Sequence, residues 1–246
     1  MIIMSVHTSD QKWIEELKSH ATEPLVESMI GEANIPLFFT KVIQLLLDSC
    51  DIDIERKKRF AIGVTLLQMG LEVHDQIPVH SDSSSAHTAS RQLLVLAGDY
   101  YSSRYYRLFS LHGELKAIAF FSDRVGEINK SRLNLHLSML RENRLPHGSY
   151  DDLIKFTSGL FAALADFFHV KEIFSYNWDE VIPPLLLVYF LYSRPDWYME
   201  ISDSLRKLVC QKWIAAFHKI EHEHDSAIAE LKSLFDELSP WVNQHL

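Results

Sequence analysis

Toward the end of the helical stretch "LLQMGLEVHDQIPVH", His74 and Asp75 stand side by side, followed by Gln76 and Val79. Such a pair could supply two metal ligands if other donors converged on it. Gln68, Glu72, Asp75 and Gln76 fall at i, i+4, i+7 and i+8, a polar stripe beside the apolar face that carries His74. On an amphipathic helix the plainer reading of that stripe is a solvated edge. A second stretch, "LLVLAGDYYSSRYY", sharpens the question, because Gly98 and Asp99 interrupt a helical pattern in which a glycine costs about 1 kcal/mol relative to alanine. Ala97, Gly98, Ser102 and Ser103 are small, whereas Leu94, Tyr101, Tyr105 and Leu108 repeat on one face. That combination predicts close packing of this helix against another.

Three further groups could carry chemistry. His218 and His222 are four apart, with His224 and Asp225 following, so they could grip zinc from one helix face; with no third ligand placed, a solvated helix end is the simpler reading. Asp179 and Glu180 form an isolated acidic pair ahead of Pro183 and Pro184, as first-turn residues facing the positive end of a helix dipole. Cys50 and Cys210, the two cysteines, each sit alone in an apolar helical pattern and read as reduced core thiols.

Nearly every segment that must position these residues has the helical period. Trp13, Leu17 and Ala21 are spaced by four, and Leu25 and Met29 continue the series to Gly31. Pro36 opens a second helix to about Cys50, and a third runs from Ile52 to about Ile77 with Phe60, Val64, Leu67, Leu71 and His74 on one face. "HSDSSSAHTAS" reads as a polar loop. Helices are then predicted over about His87–His112, Glu114–Arg141, Tyr150–His169, Pro183–Tyr192, Pro195–Lys219 and Asp225–Leu238, with Gly113 and Pro146 among the breaks. No alternating strand pattern is present, so the expected fold class is all-α: a single-domain helical bundle over residues 1–246.

Bulk properties bound the function. With 246 residues, 47% of them hydrophobic, the chain can bury a sizeable core. A formal charge of -9 argues against nucleic acid or an anionic membrane as the partner. Val181–Tyr192, the most apolar run, is too short to span a bilayer, so no transmembrane segment is expected. The N-terminal "MIIMSVHTSD" lacks a basic stretch before a long apolar run and reads as ordinary chain, which predicts a cytoplasmic protein.

The order and spacing of "LEVHDQ" and "LAGDYYSSRYY", followed by "KFTSGLFAAL" (Lys155 to Leu164), resemble the all-helical trans-prenyl diphosphate synthases over about residues 36–164. More narrowly, "LLQMGLEVHD" together with "QLLVLAGDYYSSRYY" resembles the small subunits of two-component bacterial members of that family. The departures from the family's catalytic pattern carry the functional expectation. Where catalysts have Asp-Asp-x-x-Asp to hold magnesium, this chain has Asp75, Gln76 and Val79, one carboxylate of three. Neither an amide nor an isopropyl group restores the missing charge. The family's Arg-Arg-Gly is replaced by "SSSAHTAS" with a lone Arg91, and "NIPLFFTK" stands where its upstream basic element belongs. The second Asp-rich motif has no counterpart beyond Asp179 and Glu180. Ionising an allylic diphosphate needs preorganised cations, which this chain lacks.

The resemblance therefore implies a chain with no catalytic or metal-ligating residues of its own, whose His74, Asp75, Gln76 and Val79 are a vestigial motif. It implies a larger catalytic partner subunit that holds both Asp-rich motifs and the magnesium, and that meets the isoprenoid diphosphates. Pairing is expected through about Arg91–His112 and Leu115–Leu140, with Leu94, Gly98, Tyr101, Tyr105, Phe120 and Phe121 as candidate anchors; an intramolecular core role is the equal alternative for each. The implied product is a long all-trans polyprenyl diphosphate, heptaprenyl, for the menaquinone side chain. Two other classes stay in view: a metal-dependent phosphohydrolase built on the His-Asp pair, and a helical interaction module without influence on prenyl transfer.

Overall fold

The computed structural model describes residues 8–77, 85–173, 176–221 and 226–246. Within them lie α1 (Thr8–Ala21), α2 (Pro24–Ile30), α3 (Leu37–Asp48), α4 (Ile54–Asp75), α5 (Ser85–Leu111), α6 (Leu115–Glu142), α7 (Tyr150–Phe167), α8 (Trp178–Ser193), α9 (Pro195–Glu200), α10 (Asp203–Ile220) and α11 (Ser226–His245). The expected all-α class is what the chain adopts. Local chemistry sets the ends. Asp53 caps α4 by accepting the Arg56 N–H at 2.9 Å. α5 stops at Gly113, whose φ of 72° lets the Glu114 N–H reach back to the Phe109 carbonyl at 2.9 Å. Asn143 (φ 56°) and His169 (φ 57°) take the same left-handed turn after α6 and α7.

Four expectations are corrected. The Trp13-to-Gly31 series is two helices, because Pro24 starts a new one and leaves Leu25 and Met29 exposed. α8 starts at Trp178 and carries Pro183 and Pro184 inside it. The N–H groups these prolines lack would have met the carbonyls of Asp179 and Glu180, two exposed first-turn residues that water can serve. The predicted Pro195–Lys219 helix is α9 and α10, parted at Ile201, which bridges Leu145, while Ser202 caps α10 by accepting the Leu205 N–H at 3.3 Å. A two-residue antiparallel pair, β1 (Glu172–Ile173) with β2 (Tyr176–Asn177), adds the minimum of strand that the alternation argument is too coarse to detect.

The chain divides into two compact units, Met1–Leu47 with Asp51–Ala119, and Asp48–Cys50 with Phe120–Leu246, so that α6 contributes residues to both. In the first unit α4 is the buried axis, with Phe60, Val64, Leu66 and Leu67 enclosed. α5 runs along it, α1 touches both, and α2 leans on α5. Arg104 of α5 donates from Nε to the His20 carbonyl at the end of α1, at 3.1 Å. In the second unit Val181 to Val188 of α8 are all buried, as expected for a helix apolar all round, and α7, α10 and α11 pack against it. Among the described residues no helix is long and apolar enough to cross a membrane.

The start of α4 is tied to the α5–α6 turn by one carboxylate. Glu114 accepts from Arg56 Nε at 2.8 Å and Nη2 at 2.9 Å, with Arg59 Nη1 at 3.4 Å. The Arg56 hydrogen bonds hold its carboxyl below the ordinary range, outweighing the opposing effect of burial. A lowered carboxyl pKa contributes stability above the unfolded value and loses it as pH falls through the folded value. Glu114→Gln should therefore be less stable than the parent at pH 7, with the difference shrinking toward zero as the pH is lowered through the acid range. Urea midpoints measured across pH test this, and a difference independent of pH would refute it.

Candidate functional site

The end of α4 is built by close approach to α5. A Cβ added to Gly70 would lie 3.0 Å from Ser102 Oγ and 3.1 Å from the Gly98 carbonyl, so the two backbones meet there. One turn further on, a Cβ on Gly98 would fall 2.5 Å from His74 Cε1: the imidazole lies in the notch that the glycine leaves open. The predicted tight packing at Gly98 is thus a contact with α4. His74 Nε2 lies 3.5 Å from Asp99 Oδ1, near enough for attraction when the ring is protonated but long for a hydrogen bond. A third notch, unforeseen from sequence, is at Gly63, where an added Cβ would sit 2.2 Å from the buried Phe109 ring.

Asp75 turns inward, with 6% of its surface exposed, whereas Gln76 is exposed and ends the helix. Val79 lies outside the described residues. Gln68 donates to Glu72 at 2.9 Å, a pair one turn apart on the stripe. Arg91 is half-buried near the start of α5; Lys155 is exposed on α7 in the second unit. Asp179 and Glu180 occupy the first turn of α8, and Glu180 is ion-paired with Lys219 of α10. His218 meets Glu221 through Nδ1 at 2.6 Å, while His222, His224 and Asp225 fall outside the described residues. Among the described residues no three His, Cys, Asp or Glu side chains gather as a metal site. The donors at the end of α4 do not suit magnesium, which takes an octahedron of oxygens usually shared between carboxylates and phosphates. The Asp75 carboxylate is enclosed in protein, and the Asp99 carboxylate of α5 lies beside the His74 imidazole.

Of the aromatic residues read as candidate anchors, Tyr101, Tyr105 and Phe121 are buried in the chain's own core. Tyr101 and Tyr105 are 1% exposed and Phe121 is fully buried. The Tyr105 ring packs on Phe109 with centroids 4.6 Å apart, and Phe120 and Phe121 meet Phe167 at 5.5 and 6.1 Å. Burial raises the Tyr105 hydroxyl pKa well above the ordinary tyrosine value. Gly98 is buried, and Leu94 and Phe120 are half-buried, Phe120 beneath the Arg124 guanidinium at 5.1 Å. Other apolar side chains point outward on these two helices: Val95, Leu96 and Tyr106 on α5, and Leu133, Leu137 and Leu140 on α6. The last three recur at i, i+4 and i+7, opposite the buried Ile128, Ser131 and Leu135. That double periodicity is the signal by which sequence could have found them.

Comparison with known proteins agrees with this picture. Residues 17–239 match the family described as heptaprenyl diphosphate synthase (HEPPP synthase) subunit 1. A relative from Geobacillus stearothermophilus, heptaprenyl diphosphate synthase component 1, is 33% identical over 91 residues, a stretch that spans 37% of this chain and 40% of that protein. Among solved structures, an isoprenoid synthase family member from Thermotoga neapolitana superposes with a TM-score of 0.66 at 14% identity, covering 95% of this chain and all of that one. A decaprenyl diphosphate synthase from Rhodobacter capsulatus superposes with a TM-score of 0.52 at 12% identity, covering 93% of this chain and 82% of that one. The two structural likenesses carry the fold alone, an isoprenoid synthase fold. The family match runs through α4, α5 and α6 and nearly to the end of the chain, and on it the chain belongs to the heptaprenyl diphosphate synthase subunit 1 family.

Proposed function

We propose that this chain is the small regulatory subunit of a heterodimeric heptaprenyl diphosphate synthase. It works with a larger catalytic subunit that elongates farnesyl diphosphate with isopentenyl diphosphate for the menaquinone side chain. The observation that carries the reading is the conjunction of a family match over residues 17–239 with an α4 terminus whose donors do not suit magnesium. Its own role is geometric. It orders the catalytic subunit and shapes the apolar tunnel that limits product length, while magnesium and both diphosphates are held by the partner. The docking surface is the outward face of α6, where Leu133, Leu137 and Leu140 are exposed apolar side chains. The protein works in the cytoplasm.

Mixing the chain with its large subunit, farnesyl and isopentenyl diphosphates and magnesium should give long product at a rate that neither protein approaches alone. Asp75→Asn should leave the rate of the mixture within about twofold, since the reading assigns Asp75 no charge to supply in the transition state. Long-chain synthesis by this chain unaided would overturn the proposal. So would a mixture no faster than the large subunit alone, or a loss of a hundredfold or more with Asp75→Asn.

A further inference from the structure

One end of the first unit is formed where α4 starts, α5 stops and α6 starts, and the hydrogen bonds from Arg56 and Arg59 to Glu114 hold α4 to the turn between the other two. Each of the three helix ends carries an aliphatic side chain turned out to water: Ile54 at 61% exposure, Leu111 at 68% and Leu115 at 65%. Each has a cation set back from the tip. Lys57 and Lys58 lie one turn beyond Ile54, Arg107 lies one turn before Leu111 on the same face of α5, and Lys116 adjoins Leu115. Arg107 and Lys116 are exposed, whereas Lys57 and Lys58 are half-buried. At Gly113, the crown of the turn, an added Cβ would meet nothing within 4 Å, so the turn is open there.

Charge sets this end apart. Residues 51–60 and 104–116 hold seven Lys and Arg against four Asp and Glu, in a chain whose net charge is -9. Of those carboxylates, Glu114 is matched by Arg56 and Arg59, Glu55 by Lys58 at 3.0 Å, and Asp53 accepts the capping bond of α4. A partner helix would need an unbroken apolar row. Leu111 has none, because the positions a turn before it on α5 are Arg107 and the buried Leu108. Aliphatic tips backed by cations fit instead a plane that is apolar within and anionic at its surface. The tips enter the acyl boundary, and the long cationic stems keep their charges at headgroup level. The negative charge of the rest of the chain, which argues against an anionic membrane for the molecule as a whole, turns this end toward one in preference to any other.

We propose that the end of the first unit where α4, α5 and α6 meet is a peripheral docking surface for an anionic lipid bilayer. Ile54, Leu111 and Leu115 enter the interface, and Lys57, Lys58, Arg107 and Lys116 are the cations behind them. The inference goes beyond the proposed heterodimer and rests on it only for a purpose. A polyprenyl diphosphate has an apolar tail whose removal from water becomes more favourable with every methylene, so synthesis beside a bilayer gives the product a place to go.

Co-sedimentation with vesicles tests it, using the full chain alone and mixed with the large subunit. The vesicles are phosphatidylcholine alone, or phosphatidylcholine with an equal part of phosphatidylglycerol. Both samples should bind the mixed vesicles about tenfold or more tightly than the neutral ones. That preference should vanish in 1 M salt, where the Debye length is about 3 Å. L111S/L115S and R107E/K116E should each weaken binding to the mixed vesicles by about tenfold or more, with circular dichroism unchanged from the parent. Without vesicles, L111S/L115S should bind the large subunit as the parent does, and alone it should sediment as the parent does. Equal binding to the two kinds of vesicle, or binding to neither, overturns the proposal, and so does either double variant that holds lipid like the parent. A leucine variant that loses the large subunit, or that disperses a self-associated chain, gives this end to a protein partner and overturns it too. If the unaltered chain fails to bind the large subunit at all, the proposed heterodimer is at fault, and the vesicle results for the chain alone still decide the docking surface.

Discussion

Replacing Gly63 by alanine is expected to destabilise the chain by about 2 kcal/mol, seen as a lowered urea midpoint at unchanged slope. The new methyl would lie 2.2 Å from Phe109 Cε1 and 2.8 Å from Cζ, well inside van der Waals contact. Phe109 has no exposed surface, and its ring is held by Phe60 at 4.8 Å and Tyr105 at 4.6 Å. It cannot swing away without displacing both. Overpacking of this kind costs about 3 kcal/mol, against which the better helix propensity of alanine returns about 1. Gly98→Ala has a similar nominal clash, 2.5 Å to His74 Cε1, but a quarter of the His74 side chain is exposed and its ring can move outward. Its cost should be well under half as large, and His74→Ala should largely remove it. Equal penalties at the two sites, or a Gly63 variant as stable as its parent, would mean that α4 and α5 do not approach as described.

The contrast between those glycines shows what the residues alone could reveal. Gly98 was conspicuous because it interrupts an aromatic helix face and is followed by Asp99, and its packing against another helix was the expected result. Gly63 sits among Phe60, Ala61, Ile62, Val64 and Leu66, where nothing local separates a notch from an ordinary small residue; only Phe109, 46 positions away, gives it a purpose. The all-α class was legible because long helices repeat their signal many times over. The ends of α8, α9 and α10 were not, since prolines tolerated near a helix start and a break at Ile201 are decided by tertiary contacts such as its bridge to Leu145.

At the candidate site the identity of the side chains spoke more clearly than their direction. That a single carboxylate, Asp75, is followed by an amide and an isopropyl group at Gln76 and Val79 can be read from residue types alone, whereas the inward turn of Asp75 cannot. The aromatic residues of α5 and α6 are a different matter. Tyr101, Tyr105 and Phe121 have the size that both a core and an interface favour, so composition could not decide between them. The helix phase does. Leu133, Leu137 and Leu140 are the residues left facing outward once Ile128 and Leu135 are enclosed.

That phase leads to the largest expected effect on function. Leu133→Asp together with Leu137→Asp should abolish the complex with the catalytic subunit at working concentrations while the chain still folds. Both positions are exposed, at 63% and 47%, so the substitutions remove little from the core. Away from buried features such changes usually shift stability by about 0.5 kcal/mol or less each. In the complex each carboxylate would be buried against an apolar surface with no partner, at a cost of about 2 kcal/mol apiece. The sum, about 4 kcal/mol, raises Kd nearly a thousandfold. Long-product synthesis should then fall to the level of the large subunit alone and recover as the variant is raised in concentration. That recovery separates lost association from lost chemistry. Circular dichroism unchanged from the parent, together with loss of co-sedimentation and concentration-dependent rescue of the rate, is the expected pattern. A variant that binds normally places the docking face elsewhere, and one that binds normally but does not support synthesis would move the role of α6 from assembly to the reaction itself.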